Sequence, residues 1–249
     1  MRVLGVDIGG SGIKGAPVDL ETGEFTRDRL RLATPEPPVP DQVVRTVTEI
    51  VARFGWDGPV GVTFPGVIID GVAWTAANLG KEWIGIGVQE LLTEASGSPV
   101  TLLNDADAAG LAEMTFGAGR GRHGTVLMVT LGTGIGSALF ADGRLAPNTE
   151  LGHIEIRGKD AEARASAHAR ETHEWGWRTW AEKVEEYLRR VEELVQPSLI
   201  IVGGGVSKKA ERFLPLIKDV RATVVPAELH NAAGIIGAAM AAAPRGRTG

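Results

Sequence analysis

The chain has 249 residues, 43% of them apolar, a formal net charge of −5 and no cysteine. That length and apolar content suffice for one large domain or two ordinary ones, while the acidic balance argues against a nucleic-acid partner. The lack of cysteine excludes disulfides, thiol nucleophiles and cysteine-ligated zinc, so any catalysis rests on oxygen and nitrogen groups. The opening is too short and too charged for a signal peptide, and no window is apolar over the length of a bilayer span. The expectation is a soluble, cytoplasmic protein with no membrane partner.

"RVLGVDI" (2–8) predicts a buried strand. The glycines that follow fit GxGxxG at Gly10, Gly12 and Gly15, yet a dinucleotide turn opens a helix, and here Gly15 leads into "APVDLETGEF" with Pro17 and polar/apolar alternation. That is a second strand, a turn at Thr22-Gly23 and a third strand, which disfavours a Rossmann oxidoreductase. The proline-rich segment "ATPEPPVP" (33–40) predicts an extended connector. In "DQVVRTVTEIVARF", Val43, Val44, Val47, Ile50, Val51 and Phe54 share one helical face, with Asp41 as the expected cap. Strands are predicted at "PVGVTF" and "SPVTLLN", and a helix leaves the latter at "ADAAGLAEMTFG".

The opening device then returns. An apolar strand at 125–131 meets the turn "GTGIG" and continues into a strand, "SALFADG", in place of a helix. Two such hairpins, each starting an α/β unit, predict two similarly built domains whose glycine tips face one another across a cleft. "TWAEKVEEYLRRVEELV" aligns Trp180, Val184, Tyr187, Leu188, Val191, Leu194 and Val195 on one helical stripe. "SLIIVGGGVSKKAERFLPLI" predicts a strand, a triple-glycine turn and a helix; "NAAGIIGAAMAAA" predicts a closely packing helix of small residues, and "PRGRTG" a frayed tail. The expected division is 1–110, 111–230, and a C-terminal helix in 231–249 that packs back on the first domain.

"DIGGSGIKG", "LLNDADAAGLAE", "VTLGTGIGSAL", "ELGH" and "IIVGGGVS" stand in an order and spacing that resemble the ROK-type sugar kinases of the hexokinase/actin-like superfamily. The resemblance covers most of the chain. It implies an α/β fold of two actin-like (ribonuclease H-like) domains with a cleft between them, a homodimer, and phosphoryl transfer with Mg2+. The compact length, the "RLATPEPP" connector and "ELGHIEIRGKDAEARAS" are most similar to members of that group that use inorganic polyphosphate. Transfer of its terminal phosphate, with ATP as a second donor, to the 6-hydroxyl of glucose is therefore expected. The rivals are a strictly ATP-dependent glucokinase or hexokinase and a non-catalytic sugar sensor. Sensors of this family carry a helix-turn-helix before the first hairpin, for which a strand starting at residue 2 leaves no room.

Phosphoryl transfer depends mainly on positioning and on neutralising charge, tasks for which glycine-rich turns present backbone N–H groups. Candidate phosphate-binding residues are Gly9, Gly10, Ser11, Gly12 and Lys14 in the first hairpin, and Gly132, Thr133 and Gly134 in the second. Lys14 is equally readable as a solvated charge. Asp7, ending a strand beside bound phosphates, suits a water-mediated hold on Mg2+, with a hairpin cap as the plainer reading. Arg120 and Arg122, interleaved with glycine and His123 in "GAGRGRHG", form a cluster able to follow a linear polyanion, which Lys208 and Lys209 extend.

Asn104 and Asp105 close a strand and open a helix, where open α/β sheets bind ligands. Asp105 is the candidate general base toward a sugar hydroxyl, against the alternative that Asp105 or Asp107 caps the helix; capping is preferred for Asp107. The resemblance makes Asn104, Glu150 and His153 sugar ligands, with Asn78 as a further hydroxyl partner and Gly66 in a sugar-side loop. Trp74 and Trp83 flank Asn78 and read as sugar platforms or as core. In most of this family the histidine adjoins a structural zinc completed by three cysteines, which this chain lacks, so another brace is expected. A third acidic sugar ligand falls on Glu155, Glu162 or Glu171. His168, His173 and His230 read as solvent or packing residues. In ATP-dependent relatives the triple-glycine turn and the segment Asn231 to Gly234 lie against adenosine.

Overall fold

The computed structural model describes residues 1–77 and 79–244. They form two compact units, Met1–Ala112 with Ala232–Gly249, and Glu113–Asn231. The first opens with the antiparallel hairpin β1 (Arg2–Gly9) and β2 (Gly12–Asp19), in which Asp7 pairs with Lys14. The short strands β3 (Glu24–Phe25) and β4 (Leu30–Leu32) both pair with β2. Helix α1 (Pro40–Phe54) buries Val43, Val47, Ile50 and Val51. Its cap is Val39, without a side-chain bond, and Asp41 lies inside the first turn. Pro40 has no N–H to satisfy and a preset φ, so it takes the first helical position and moves the start one residue ahead of the expected aspartate cap.

β5 (Val60–Phe64) is buried at every residue, as its mostly apolar run suits for a strand covered on both faces, and its one polar residue, Thr63, is hydrogen-bonded. A small hairpin, β6 (Ile68–Ile69) and β7 (Val72–Ala73), precedes α2 (Val88–Ser96), a helix the sequence pattern did not reveal. β8 (Val100–Asn104) then passes directly into α3 (Asp105–Phe116). The sheet runs β3-β2-β1-β5-β8, with β1, β5 and β8 parallel.

The second unit repeats that plan. β9 (Thr125–Leu131) and β10 (Ile135–Ala141) form the hairpin, and β11 (Arg144–Ala146) pairs with β10. A two-stranded hairpin, β12 (Glu155–Ile156) and β13 (Lys159–Asp160), leads to the short helices α4 (Glu162–Ala165) and α5 (Ala167–Thr172). The long helix α6 (Trp177–Val195) buries Trp180, Val184, Tyr187, Leu188 and Val191, whereas Leu194 is 52% exposed and does not join the stripe. β14 (Leu199–Gly203) and β15 (Thr223–Pro226) complete a sheet ordered β11-β10-β9-β14-β15, with β9, β14 and β15 parallel. The helix expected after the triple glycine is a 3-10 segment, Gly205–Arg212, broken at Lys209. Only Ser207 and Ala210 are buried there, so no apolar stripe holds a full α-helix.

The last helix, α7 (Ala233–Ala241), belongs to the first unit and packs on β1 and β5. Gly5 lies under the Ile235 carbonyl, Gly61 under that of Ala238, and Gly237 against that of Ala108, so a Cβ at any of the three would strike backbone. This close approach buries Ile235 and Ile236, each contributing about 1.5–3 kcal/mol. Among the described residues no helix is long and apolar enough to cross a membrane. The fold is α/β with mixed sheets.

Candidate active site

In the first unit the glycine turn joining β1 to β2 is held from the β4 side. The Thr34 hydroxyl donates to Gly9 O at 2.5 Å and Arg31 Nη2 donates to Ser11 O at 2.9 Å. Gly10 faces open space, whereas a Cβ on Gly12 would meet Arg31 Nε at 2.6 Å. Gly15 serves packing instead, with Ile50 of α1 against it. Asp7 accepts from Thr63 Oγ1 at 2.9 Å, and that oxygen accepts from the Ile8 N–H at 3.1 Å. Lys14 Nζ stands 3.7 Å from the other Asp7 oxygen, so Lys14 is an ion-pair partner at the turn, neither fully solvated nor remote. Gly234, at the start of α7, approaches the same carboxylate.

At the junction of β8 and α3, Asn104 is buried; its Oδ1 accepts from the N–H groups of Ala106 (2.8 Å) and Asp107 (3.0 Å), and its amide donates to Gly66 O at 3.1 Å. Asn104 is thus the cap of α3, and the capping role expected of Asp107 passes to it: Asp107 is buried within the first turn, too far along to cap. Asp105, partly exposed, accepts from the Ala106 N–H at 2.8 Å. Of the aromatic pair, Trp83 is core, tilted against Phe64 at 5.1 Å with its Nε1–H on Pro38 O, while Trp74 is 59% exposed. Asn78 lies outside the described residues.

In the second unit the turn between β9 and β10 leaves Gly132 facing open space and Thr133 exposed. Gly134 is pressed against the Glu162 carboxylate, which accepts from the Ile135 N–H at 3.2 Å. The "ELGH" segment is docked on β10: Ser137 Oγ donates to Thr149 O at 2.6 Å and accepts from the Leu151 N–H, and Gly152 abuts the Ile135 backbone. His153 stands between two acids, with Nε2 3.4 Å from Glu150 and Nδ1 3.3 Å from Asp160. Desolvation lifts the Glu150 carboxyl above its ordinary pKa, against the pull of His153 and with a push from Glu162. The loop's brace is Glu186 of α6, which binds Arg157 of the β12–β13 turn and Arg164 of α4. These pairs outweigh desolvation and hold Glu186 below the ordinary value.

Of the three acids left open, Glu162 alone is brought to the glycine turn, and its charge is felt at Glu150; Glu155 and Glu171 are exposed. Arg120 and Arg122 are not brought to Gly132–Gly134. Their loop is anchored by the buried Glu113, which accepts from the N–H groups of Ala118, Glu228 and Leu229, and it enters β9 at the opposite end. A strand of seven residues puts about 20 Å between the two ends. His168, His173 and His230 are exposed, and the described residues hold no cluster of three metal-binding side chains. The sequence reading missed Arg31, Thr34, Thr63 and Ser137. Arg31, Thr63 and Ser137 reach the site through strand register and Thr34 through the segment after β4, which residue type alone does not announce.

The repeated sheet with an anion-ready turn in each half, and a carboxylate opening the helix after β8, defines an α/β phosphotransferase of the sugar-kinase type. The ROK family pattern matches residues 3–167, and the chain belongs to the ROK family. It is 51% identical over 239 residues to polyphosphate glucokinase of Mycobacterium tuberculosis (strain CDC 1551 / Oshkosh), spanning 96% of this chain and 90% of that protein. Its fold is similar to inorganic polyphosphate/ATP-glucomannokinase from Arthrobacter sp. strain KM, with a TM-score of 0.93, 50% identity, and coverage of 96% of this chain and 97% of that one. A ROK family glucokinase from Streptomyces griseus, solved with glucose and AMPPNP, matches at a TM-score of 0.81 and 26% identity over 97% and 99% of the two chains.

Proposed function

We propose that the protein is a polyphosphate-dependent glucokinase, moving the terminal phosphoryl group of inorganic polyphosphate, and also of ATP, to the 6-hydroxyl of glucose. The observation that carries this reading is the half-identity, along nearly the whole chain, to a polyphosphate glucokinase. The likeness to a polyphosphate/ATP-glucomannokinase supports both donors and adds mannose as a second acceptor to be tried. The two units correspond in this reading to the paired actin-like domains of the superfamily.

Asp105 is the base: its carboxylate takes the O6 proton as the O6–phosphorus bond forms and the bond from phosphorus to the rest of the donor breaks, the shortened chain leaving as an anion. The N–H bond from Ala106 keeps that carboxylate oriented. Asn104 acts by fixing the start of α3, and Glu150, His153 and Glu162 accept or donate to the sugar hydroxyls. The turns at Gly9–Gly12 and Gly132–Gly134 grip donor phosphates, with Lys14 and Arg31 supplying positive charge; Arg120 and Arg122 are not part of that grip. Asp7 is a partly exposed carboxylate at a phosphate turn, which fits a water-mediated hold on Mg2+. When bound, Mg2+ supplies neutralisation of the donor oxygens.

Initial rates with glucose and long-chain polyphosphate, beside the same assay with ATP, test the reading. Glucose 6-phosphate is expected from both donors. No product from polyphosphate, with ATP active, would reduce the protein to an ordinary ATP glucokinase.

A further inference from the structure

The carboxyl end of the second unit's sheet gathers more positive charge than its glycine turn alone would require. β9 and β14 run in parallel with Gly203 beside Thr130, so the Gly132–Gly134 turn and the triple glycine emerge side by side. The segment after the triple glycine carries Lys208, Lys209 and Arg212. On the other flank the His168 N–H donates to Gly132 O at 3.0 Å, fixing the start of α5 against the turn, and Arg170 follows two residues on.

Arg170 and Arg212 converge on one indole. Their guanidinium carbons lie 3.9 Å and 5.7 Å from the ring centroid of Trp177. Their separation therefore stays within the screening length of about 10 Å at 0.1 M salt. Among the described residues Arg170 has no ion pair with a carboxylate, and its Nε is buried without a hydrogen-bond partner; Arg212 meets only the exposed Glu211, at 3.8 Å. Trp177 itself opens α6, whose first turn has no side-chain cap and no acidic residue and includes Arg178. A helix start normally collects carboxylates, since its dipole is positive there. Here the dipole adds to clustered guanidiniums, an arrangement that is costly until an anion enters it.

We propose that Arg170, Arg212 and Trp177 form a distal anion subsite that holds phosphates of a linear polyphosphate chain beyond those gripped at Gly132–Gly134. The planar guanidiniums suit successive phosphates, each of which offers two oxygens to a fork. The inference rests on reading that turn as a donor site. It also places the track at the opposite end of β9 from Arg120 and Arg122.

Binding of fluorescently labelled long-chain polyphosphate, measured by anisotropy without glucose, tests it alongside KM values for long-chain polyphosphate and for tripolyphosphate. In Arg212→Gln and in Arg170→Gln the long-chain affinity falls at least about tenfold relative to tripolyphosphate, because only the longer donor spans both sites. Arg170→Lys, which keeps the charge and loses the fork, gives an intermediate loss and serves as the folding control should Arg170→Gln unfold. Unchanged long-chain affinity in the Arg212 and Arg170 variants overturns the subsite. An equal loss for both donors overturns it too, because that is a general structural effect. A wild-type protein that binds the labelled chain but makes no glucose 6-phosphate from it sinks the donor assignment above, not the subsite.

Discussion

The two glycine turns share a backbone plan and differ in the charge that braces them. In each, one glycine looks onto open space and a later one is pressed by a charged side chain: Gly10 then Gly12 under Arg31, and Gly132 then Gly134 under Glu162. The first turn has two cationic side chains beside it, Arg31 bonded to Ser11 O and Lys14 paired with Asp7. The second has the start of α5 on one flank and, on the other, the Glu162 carboxylate, whose charge is felt at Glu150. On the proposed function, the first turn works on the donor and the second is where donor and sugar groups meet, so that one side chain per copy specialises a duplicated scaffold.

Asp105 belongs to neither turn, which gives the largest expected effect. Asp105→Asn lowers kcat by at least about a hundredfold while the KM for glucose and for polyphosphate change little, a split that steady-state kinetics reads directly. A variant that instead weakens glucose binding at near-normal kcat would move Asp105 into the sugar-binding set. The next effect concerns Glu150. Its raised carboxyl takes up a proton at a pH where an ordinary glutamate is still ionised, so the glucose KM climbs on acidification from a correspondingly higher pH. Glu150→Gln is expected to have a high glucose KM that is flat across that range; a wild-type acid limb surviving in the variant would assign it to another group. Glu186 gives the smallest effect and one confined to stability. Its folded pKa is depressed, so its contribution is present above the unfolded carboxylate value and disappears as pH falls through the folded one. Glu186→Gln is expected to cost about 1 kcal/mol in denaturant unfolding at neutral pH, with the gap to wild type closing in acid.

Local patterns exposed most of the scaffold in the sequence. β-branched runs ending in glycine marked β1 and β9, the 3.6-residue stripes marked α1 and α6, and the recurrence of a strand, glycine turn and strand revealed the internal repeat. What stayed hidden depends on contacts across the chain. Arg31 reaches the first turn because β4 pairs with β2 so that Arg31 lies opposite Lys14, and no spacing rule contains that register. Glu162 could not be told from Glu155 and Glu171 until α4 was seen against the second turn. The glycine-arginine stretch around Arg120 and Arg122 had the right composition for a polyanion but sits at the wrong end of β9, a distinction that composition cannot carry. Asn104 was legible as a site residue, and its capping of α3 was not, because either neighbouring aspartate also suits that role by type.

The division of labour between the turns is the claim on which the rest stands, and a crossed kinetic experiment tests it most directly: Arg31→Ala and Glu162→Gln, each assayed against polyphosphate and glucose in turn. The account predicts that Arg31→Ala raises the polyphosphate KM about tenfold with glucose KM held, and that Glu162→Gln does the reverse, each reflecting loss of a charge-assisted contact. If both substitutions raise the same KM, or Glu162→Gln weakens polyphosphate alone, the two turns are not specialised in this way and the assignment of Glu162 to the sugar falls.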